Sequence, residues 1–304
     1  MRIKELIHSI SDDFYKKVKP IFDFNKQTVE TETFFEFLFS KFPIETIIKT
    51  EKLSEIIKYV ETNYDRKVFY YNRKESELAK NILEVFGYSR FRQNKATWFA
   101  EKLNIKTCMY CNTQYATVIQ KDENNRQVLF QFDHFYPKSL FPYLSMSIFN
   151  LVPICANCNQ SKSNKFYLTI ENPYIINFDE FSRFELDKKE TIQYLMNPTN
   201  NIAGTLKLTA KTEDDETLLN EYDKEFNISE KHKVHSDYIQ ELAWKSKVYT
   251  DEYKTQLKEL LRNEHLSDED IERFIIGNYS KEEDVFKRPL SKLTRDIAEE
   301  LGLI

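Results

Sequence analysis

Apolar residues recur at helical spacing through much of the first hundred positions. Ile3, Leu6, Ile7 and Ile10 form one stripe, and Leu53, Ile56, Ile57 and Val60 form another. A spacing of three to four residues puts such side chains on one face of a helix. A third stripe over 76–86 runs through Leu78, Ile82, Leu83 and Phe86 and stops at Gly87, a residue that ends helices readily. A short helix over 95–103 then delivers the chain to its first cysteine. Near position 105 the pattern changes. Tyr115, Thr117 and Ile119 alternate with Ala116 and Val118, which predicts a strand; 122–126 is a polar turn and 128–135 reads as a second strand, so the expectation is a β-hairpin of these two. Pro137 and Pro142 enforce a loop, positions 145–151 lead to the second cysteine pair, and a short polar helix is expected from Asn157 onward. Beyond about 171 the chain reads as helical again, with a strand at 206–210. Its longest helical stretch is expected over 230–262. Ser267 with Asp270 looks like a capping box, Pro289 interrupts, and 291–301 is a final helix. The fold class expected is α+β.

A chain of 304 residues can form one large domain or two to three small ones. Aromatic residues are abundant, with 24 Phe and 18 Tyr, while glycine occurs only four times. That balance argues against Rossmann and P-loop domains, whose phosphate-binding turns need glycine. No apolar run approaches the roughly 20 residues of a membrane span, and the opening residues alternate in charge, so a cytoplasmic protein is expected. The net charge of −5 by itself disfavours a polyanionic partner. Within 101–170, however, seven Lys or Arg stand against four acids, a local excess suited to a small phosphate-contacting site.

All four cysteines fall into two pairs, Cys108 with Cys111 and Cys155 with Cys158, separated by 43 residues. Each C-x2-C pair can turn two thiolates toward one ion, and two pairs complete a tetrahedral sulfur site for zinc. Disulfides are disfavoured in a cytosolic chain, and a redox motif explains one pair but not both. Four thiolates leave no open coordination position. The expected zinc is therefore structural, clamping two segments far apart in the chain.

Between the pairs lie Phe132-Asp133-His134-Phe135-Tyr136-Pro137-Lys138-Ser139 and Asn150, and Asn159 follows the last cysteine directly. Phosphodiester hydrolysis needs a base for water and a divalent cation at the phosphate. An imidazole suits the first task; a carboxylate and an amide oxygen suit Mg²⁺. In a strand Asp133 and His134 point to opposite faces, so a distortion or a strand end is required to aim both at one phosphate. The plainer reading, an ordinary Asp-His pair on a strand, is weakened by the flanking cysteine pairs and asparagines.

Residues 108–165 resemble the HNH, or ββα-metal, nucleases that carry zinc-binding C-x2-C pairs. The resemblance implies a hairpin and a helix around one catalytic Mg²⁺ or Mn²⁺. It implies that His134 is the general base, Asp133 a metal ligand, Asn150 the residue bracing the loop and orienting the base, and Asn159 the second metal ligand in place of a histidine. It further implies phosphate contacts from Lys162, Lys138 and Lys165. The segment around Asp133-His134 and the C-terminal Lys287-Arg288-Pro289-Leu290-Ser291-Lys292-Leu293 are similar to the HNH subunit of Septu-type anti-phage systems, which implies an ABC-type or SMC-like ATPase partner. The organisation expected is a helical N-terminal region (1–100), a nuclease core with the zinc site (101–170) and a mainly helical, partner-docking C-terminal region (171–304). DNA is the expected substrate, with RNA or tRNA left open. The competing expectation is a zinc-binding recruitment module that does not cut.

His232 and His235, three apart, invite a second metal site, but Lys231 and Lys233 beside them repel a cation. Phe34, Phe35, Phe37 and Phe39, with Phe69, Tyr70 and Tyr71, read as core or interface rather than as platforms for bases. Glu213 to Glu216 reads as a solvated acidic loop.

Overall fold

The helices begin and end where local chemistry dictates. In the computed structural model, which describes residues 2–122, 125–197, 206–262 and 265–304, Ser76 Oγ accepts the backbone N–H of Ala79 at the start of one helix. That helix ends at Gly87, whose φ of 68° lies in the left-handed region that glycine adopts without strain. Ser267 and Asp270 form the expected capping box. The part of the expected turn at Glu123 and Asn124 lies outside the described residues.

The chain divides into two compact units, one made of Met1–Ile105 with Ala116–Ile175, the other of Lys106–Tyr115 with Ile176–Ile304. In chain order the first unit holds helices α1 (Ile3–Val18), α2 (Val29–Lys41), α3 (Ile44–Lys49) and α4 (Leu53–Glu61), then a small hairpin of β1 (Tyr70–Tyr71) and β2 (Lys74–Glu75). Helices α5 (Glu77–Phe86), α6 (Tyr88–Asn94) and α7 (Ala96–Leu103) follow. Next come strands β3 (Val118–Asp122), β4 (Asn125–Val128), β5 (Gln131–His134) and β6 (Leu151–Ile154), and helix α8 (Ala156–Lys162). Its core is aromatic. Phe34 is fully buried, with its ring 5.2 Å from Tyr64, 5.5 Å from Phe69 and 5.8 Å from Tyr143. The Phe34 cluster is thus packing, and Phe37 stacks on Tyr59.

The second unit contains α9 (Phe178–Phe181), β7 (Ser182–Leu186), α10 (Lys188–Met196), β8 (Leu206–Ala210), α11 (Glu216–Phe226), α12 (Ile228–Lys233), α13 (Ser236–Val248), α14 (Asp251–Arg262), α15 (Asp268–Ile276) and α16 (Ser291–Glu300). Strands β7 and β8 pair antiparallel. Under them lies a buried ionic network in which Lys292 and Arg295 of α16 bond Asp179 and Asp296. Asp296 also accepts the backbone N–H of Phe184, so each charge has a partner, as burial demands.

Two expectations give way. The stretch 128–135 is not one strand: β4 pairs with β3, and β5 pairs antiparallel with β6. Leu129 is half exposed, so the inward-facing pattern breaks there, whereas β6 is buried throughout and covers β5 instead. The long helix over 230–262 is three, α12 to α14. Thr250 starts the last of them by accepting the N–H of Tyr253 on its hydroxyl.

Replacing Phe34 by Ala opens a cavity among Tyr64, Phe69 and Tyr143 and is expected to cost about 3–5 kcal/mol. Urea unfolding checks this; a loss below about 1 kcal/mol is more typical of a surface position and would remove Phe34 from the core.

Candidate active site

A strand, a loop, a second strand and a short helix build the site. Strand β5 ends at His134; the chain then makes a loop of tight turns at Pro142–Leu144 and Ile148–Asn150. It returns as β6 in the register Asp133↔Val152 and His134↔Leu151, and α8 starts immediately after and packs beside β5.

Three buried side chains hold the loop: Ser147 Oγ donates to the Ile47 carbonyl, Asn172 Nδ2 to that of Phe149, and Asn150 braces it from within. Asn150 is fully buried; its Oδ1 accepts the N–H of Tyr136 at 2.7 Å, and its Nδ2 donates to the carbonyls of Tyr136 (3.1 Å) and Leu144 (3.0 Å). Its amide is therefore engaged with backbone on both sides. These three bonds commit the amide to the loop's own backbone.

His134 is buried, with Nε2 at 3.0 Å from the carbonyl oxygen of Ser145. A carbonyl can only accept, so Nε2 carries the ring hydrogen and Nδ1 keeps its lone pair. The ring of Tyr88 meets the imidazole edge-on at 4.5 Å. Burial pushes the His134 pKa down to about 3; the Ser145 carbonyl raises it, and the cations Lys138, Lys162 and Arg92 lower it further. The ring is accordingly neutral over the physiological range.

Asp133, His134 and Asn159 share one open cavity of about 280 Å³, whose wall also includes Tyr88, Arg92 and Lys138. Gln131, Phe132, Asp133 and His134, the whole of β5, all line it. Asn159 donates through Nδ2 to the Oε1 of Gln131, which fixes which way its amide faces.

Lys162 is placed differently from expectation. It is 0% exposed, and its ammonium lies 3.1 Å from Asp133 Oδ1 and 2.8 Å from the His134 carbonyl. A fully buried ammonium cannot meet a phosphate in solvent, so Lys162 is a structural ion-pair partner that anchors the end of β5 to α8. Lys138 borders the cavity and lies 5.7 Å from the Tyr88 ring centroid. Lys165 is exposed but does not line the cavity. Arg92, Tyr88 and Gln131 escaped the sequence reading: the first two stand some forty residues upstream on α6, with no local signal linking them to the Asp-His pair.

The four cysteines are buried and outside any disulfide, and their Sγ atoms all lie within 4.8 Å of one another. Zn–S bonds of about 2.3 Å imply sulfurs about 3.8 Å apart in a tetrahedron, so the cluster can hold a zinc ion after a small contraction. Local geometry suits thiolates. Cys155 Sγ accepts the N–H of Cys158 at 3.4 Å, and the Thr113 hydroxyl donates to Cys111 at 3.1 Å. An all-sulfur set closes the coordination sphere and leaves the ion no substrate position. Among the described residues no other group of three or more His, Cys, Asp or Glu comes together in this way. His232 instead is buried against Phe184 and Phe178, with Nδ1 2.9 Å from the Ile228 carbonyl.

Comparison with protein-family models, curated proteins and solved structures gives no match. No helix of the described residues is long and apolar enough to cross a membrane.

Two measurements follow from this geometry. The purified chain is expected to carry one zinc per molecule by elemental analysis, and Cys158→Ser to lose it together with most of its thermal stability; a zinc-free, equally stable wild type would refute the cluster. Burial pushes the His232 pKa down to about 4, below the ordinary 6.5 of an unfolded chain. The unfolded state thus takes up the proton first, and the stability contributed by the neutral ring is lost as pH falls from about 6.5 towards 4. Urea midpoints should drop over that window, and less steeply in His232→Phe; equal slopes would contradict the assignment.

Proposed function

We propose that this chain is a metal-dependent endonuclease of the HNH type that hydrolyses phosphodiester bonds in nucleic acid, DNA before RNA. The observation that carries the reading is the meeting of His134, Asp133 and Asn159 on one open, polar cavity bounded by a strand–loop–strand–helix unit, with Arg92 and Lys138 supplying positive charge at its wall.

In this reading the neutral His134 accepts a proton from the attacking water on Nδ1, while Nε2–H stays tied to Ser145. Its proton affinity, held low by burial and by three nearby cations, rises when an anionic phosphate enters and offsets them. Asp133 and Asn159 offer hard oxygen donors that fit Mg²⁺ or Mn²⁺; such an ion, when bound, would neutralise charge on the phosphate and the leaving oxygen. Lys162, holding Asp133 Oδ1, fixes the carboxylate's orientation. Asn150 keeps the loop in place, so the Ser145 carbonyl remains where the imidazole needs it. The cysteine-bound zinc acts only as a structural clamp beside Asn159. Action within an anti-phage system alongside an ABC-type or SMC-like ATPase belongs to the same proposal and rests on the resemblance around Asp133-His134 and Lys287 to Leu293.

A second reading, a zinc-binding recruitment module without catalysis, is favoured by one observation: the Lys162 ammonium already neutralises Asp133, which weakens that carboxylate as a cation ligand.

Plasmid nicking with Mg²⁺ or Mn²⁺ tests the proposal. His134→Ala should lose at least about 100-fold in rate, the usual worth of a general base, with zinc content unchanged. Undiminished cleavage by that variant would remove the mechanism.

A further inference from the structure

The hairpin of β1 and β2 contributes nothing to the core with its tip, yet its base is fastened beside the His134 cavity. Phe69, just before β1, is buried against Phe34 and against Tyr143, 5.7 Å away, and the N–H of Ser76 closes the hairpin on the Phe69 carbonyl at 2.8 Å. Tyr143 lies in the same turn that leads to Ser145, the acceptor for His134. On the other side the Tyr70 hydroxyl stands 3.5 Å from Nδ2 of Asn164, a residue of the cavity wall. Arg66, at the hairpin's foot, lies over the ring of Phe166 at 4.6 Å.

The tip is built to be reached from solvent. Asn72 and Arg73 have φ of 51° and 62°, the pair of left-handed residues that a two-residue hairpin turn requires. This projects Tyr71, 61% exposed, directly across from Lys74 in the strand register, with Arg73 and Lys74 exposed beside it. Residues 66–75 contain four Lys or Arg against one acid, Glu75, in a chain whose net charge is −5; of the four, Arg66 pairs with Glu61. Among the described residues neither Arg73 nor Lys74 enters an ion pair. An exposed phenol flanked by two uncompensated cations is the combination that stacks on an unpaired base while contacting the adjoining phosphates.

We infer that the 70–75 hairpin is a binding arm for single-stranded nucleic acid, stacking one base on Tyr71 and holding phosphates with Arg73 and Lys74 so that the strand runs on into the His134 cavity. The inference deepens the nuclease reading and rests on it for what happens at the cavity.

The test is fluorescence anisotropy of the zinc-loaded full chain with a short labelled single-stranded DNA and its duplex, without added Mg²⁺, alongside plasmid nicking by the same preparations. Tyr71→Ala should weaken single-strand binding roughly tenfold, as removal of a stacking ring does, while Tyr71→Phe keeps it. The double variant Arg73→Asn with Lys74→Gln, in which asparagine tolerates the left-handed turn position, should lower the slope of log affinity against log salt by about 1.4 for two lost phosphate contacts. Unchanged affinity and slope in these variants, a wild type that binds no single strand, or equal losses with duplex would each overturn the arm. Hairpin-dependent binding without any nicking by wild type would keep the arm and remove the nuclease reading; nicking with hairpin-independent binding would do the reverse.

Discussion

The side-chain amide of Asn150 is the constraint on which the site depends. It ties the residue after Phe135 to the turn that carries Leu144, and through that turn it sets the position of the Ser145 carbonyl against which His134 is held. A loop of this length between two strands would otherwise sample many conformations, and its backbone polar groups are buried where water cannot satisfy them. One fully buried amide making three backbone bonds restrains the loop and satisfies three of those groups. The tautomer of His134 follows from where that loop sits, while burial and the nearby cations keep its ring neutral.

Around this brace the charges divide into two kinds. Lys162 and Asp133 are sealed together inside the first unit, as Lys292, Arg295, Asp179 and Asp296 are inside the second. Such pairs specify geometry, because removing either member strands the other in a low-dielectric interior. Arg92, Lys138, Arg73 and Lys74 reach the cavity wall or solvent, where the proposed function has them meet a polyanion. The functional proposal relies on the second kind and on Asp133, whose pairing with Lys162 also joins β5 to α8 beside the cavity.

Much of this was legible in the chain because it depends on local signals. The helix stop at Gly87, the capping box at Ser267, the strand at 206–210 and the two cysteine pairs each follow from a few adjacent residues, and the structure has all of them. What failed depends on distance. Residues 128–135 have the composition of a single strand, and only the burial of Leu151 to Ile154 reveals that β5 pairs with β6. Lys162 looks like any surface lysine until Asp133 is seen beside it. Tyr88 and Arg92 reach the cavity through packing of α6, which no spacing encodes, and the two-residue strands of the 70–75 hairpin are too short for periodicity to register.

The most direct test of the central claim is whether His134's cavity takes a divalent cation distinct from the cysteine-held zinc. Titration of Mn²⁺ into the zinc-loaded chain, followed by electron paramagnetic resonance, should reveal one weak site that disappears in Asp133→Ala while zinc content stays constant. A wild type that binds no Mn²⁺, or a site indifferent to that substitution, would contradict the account.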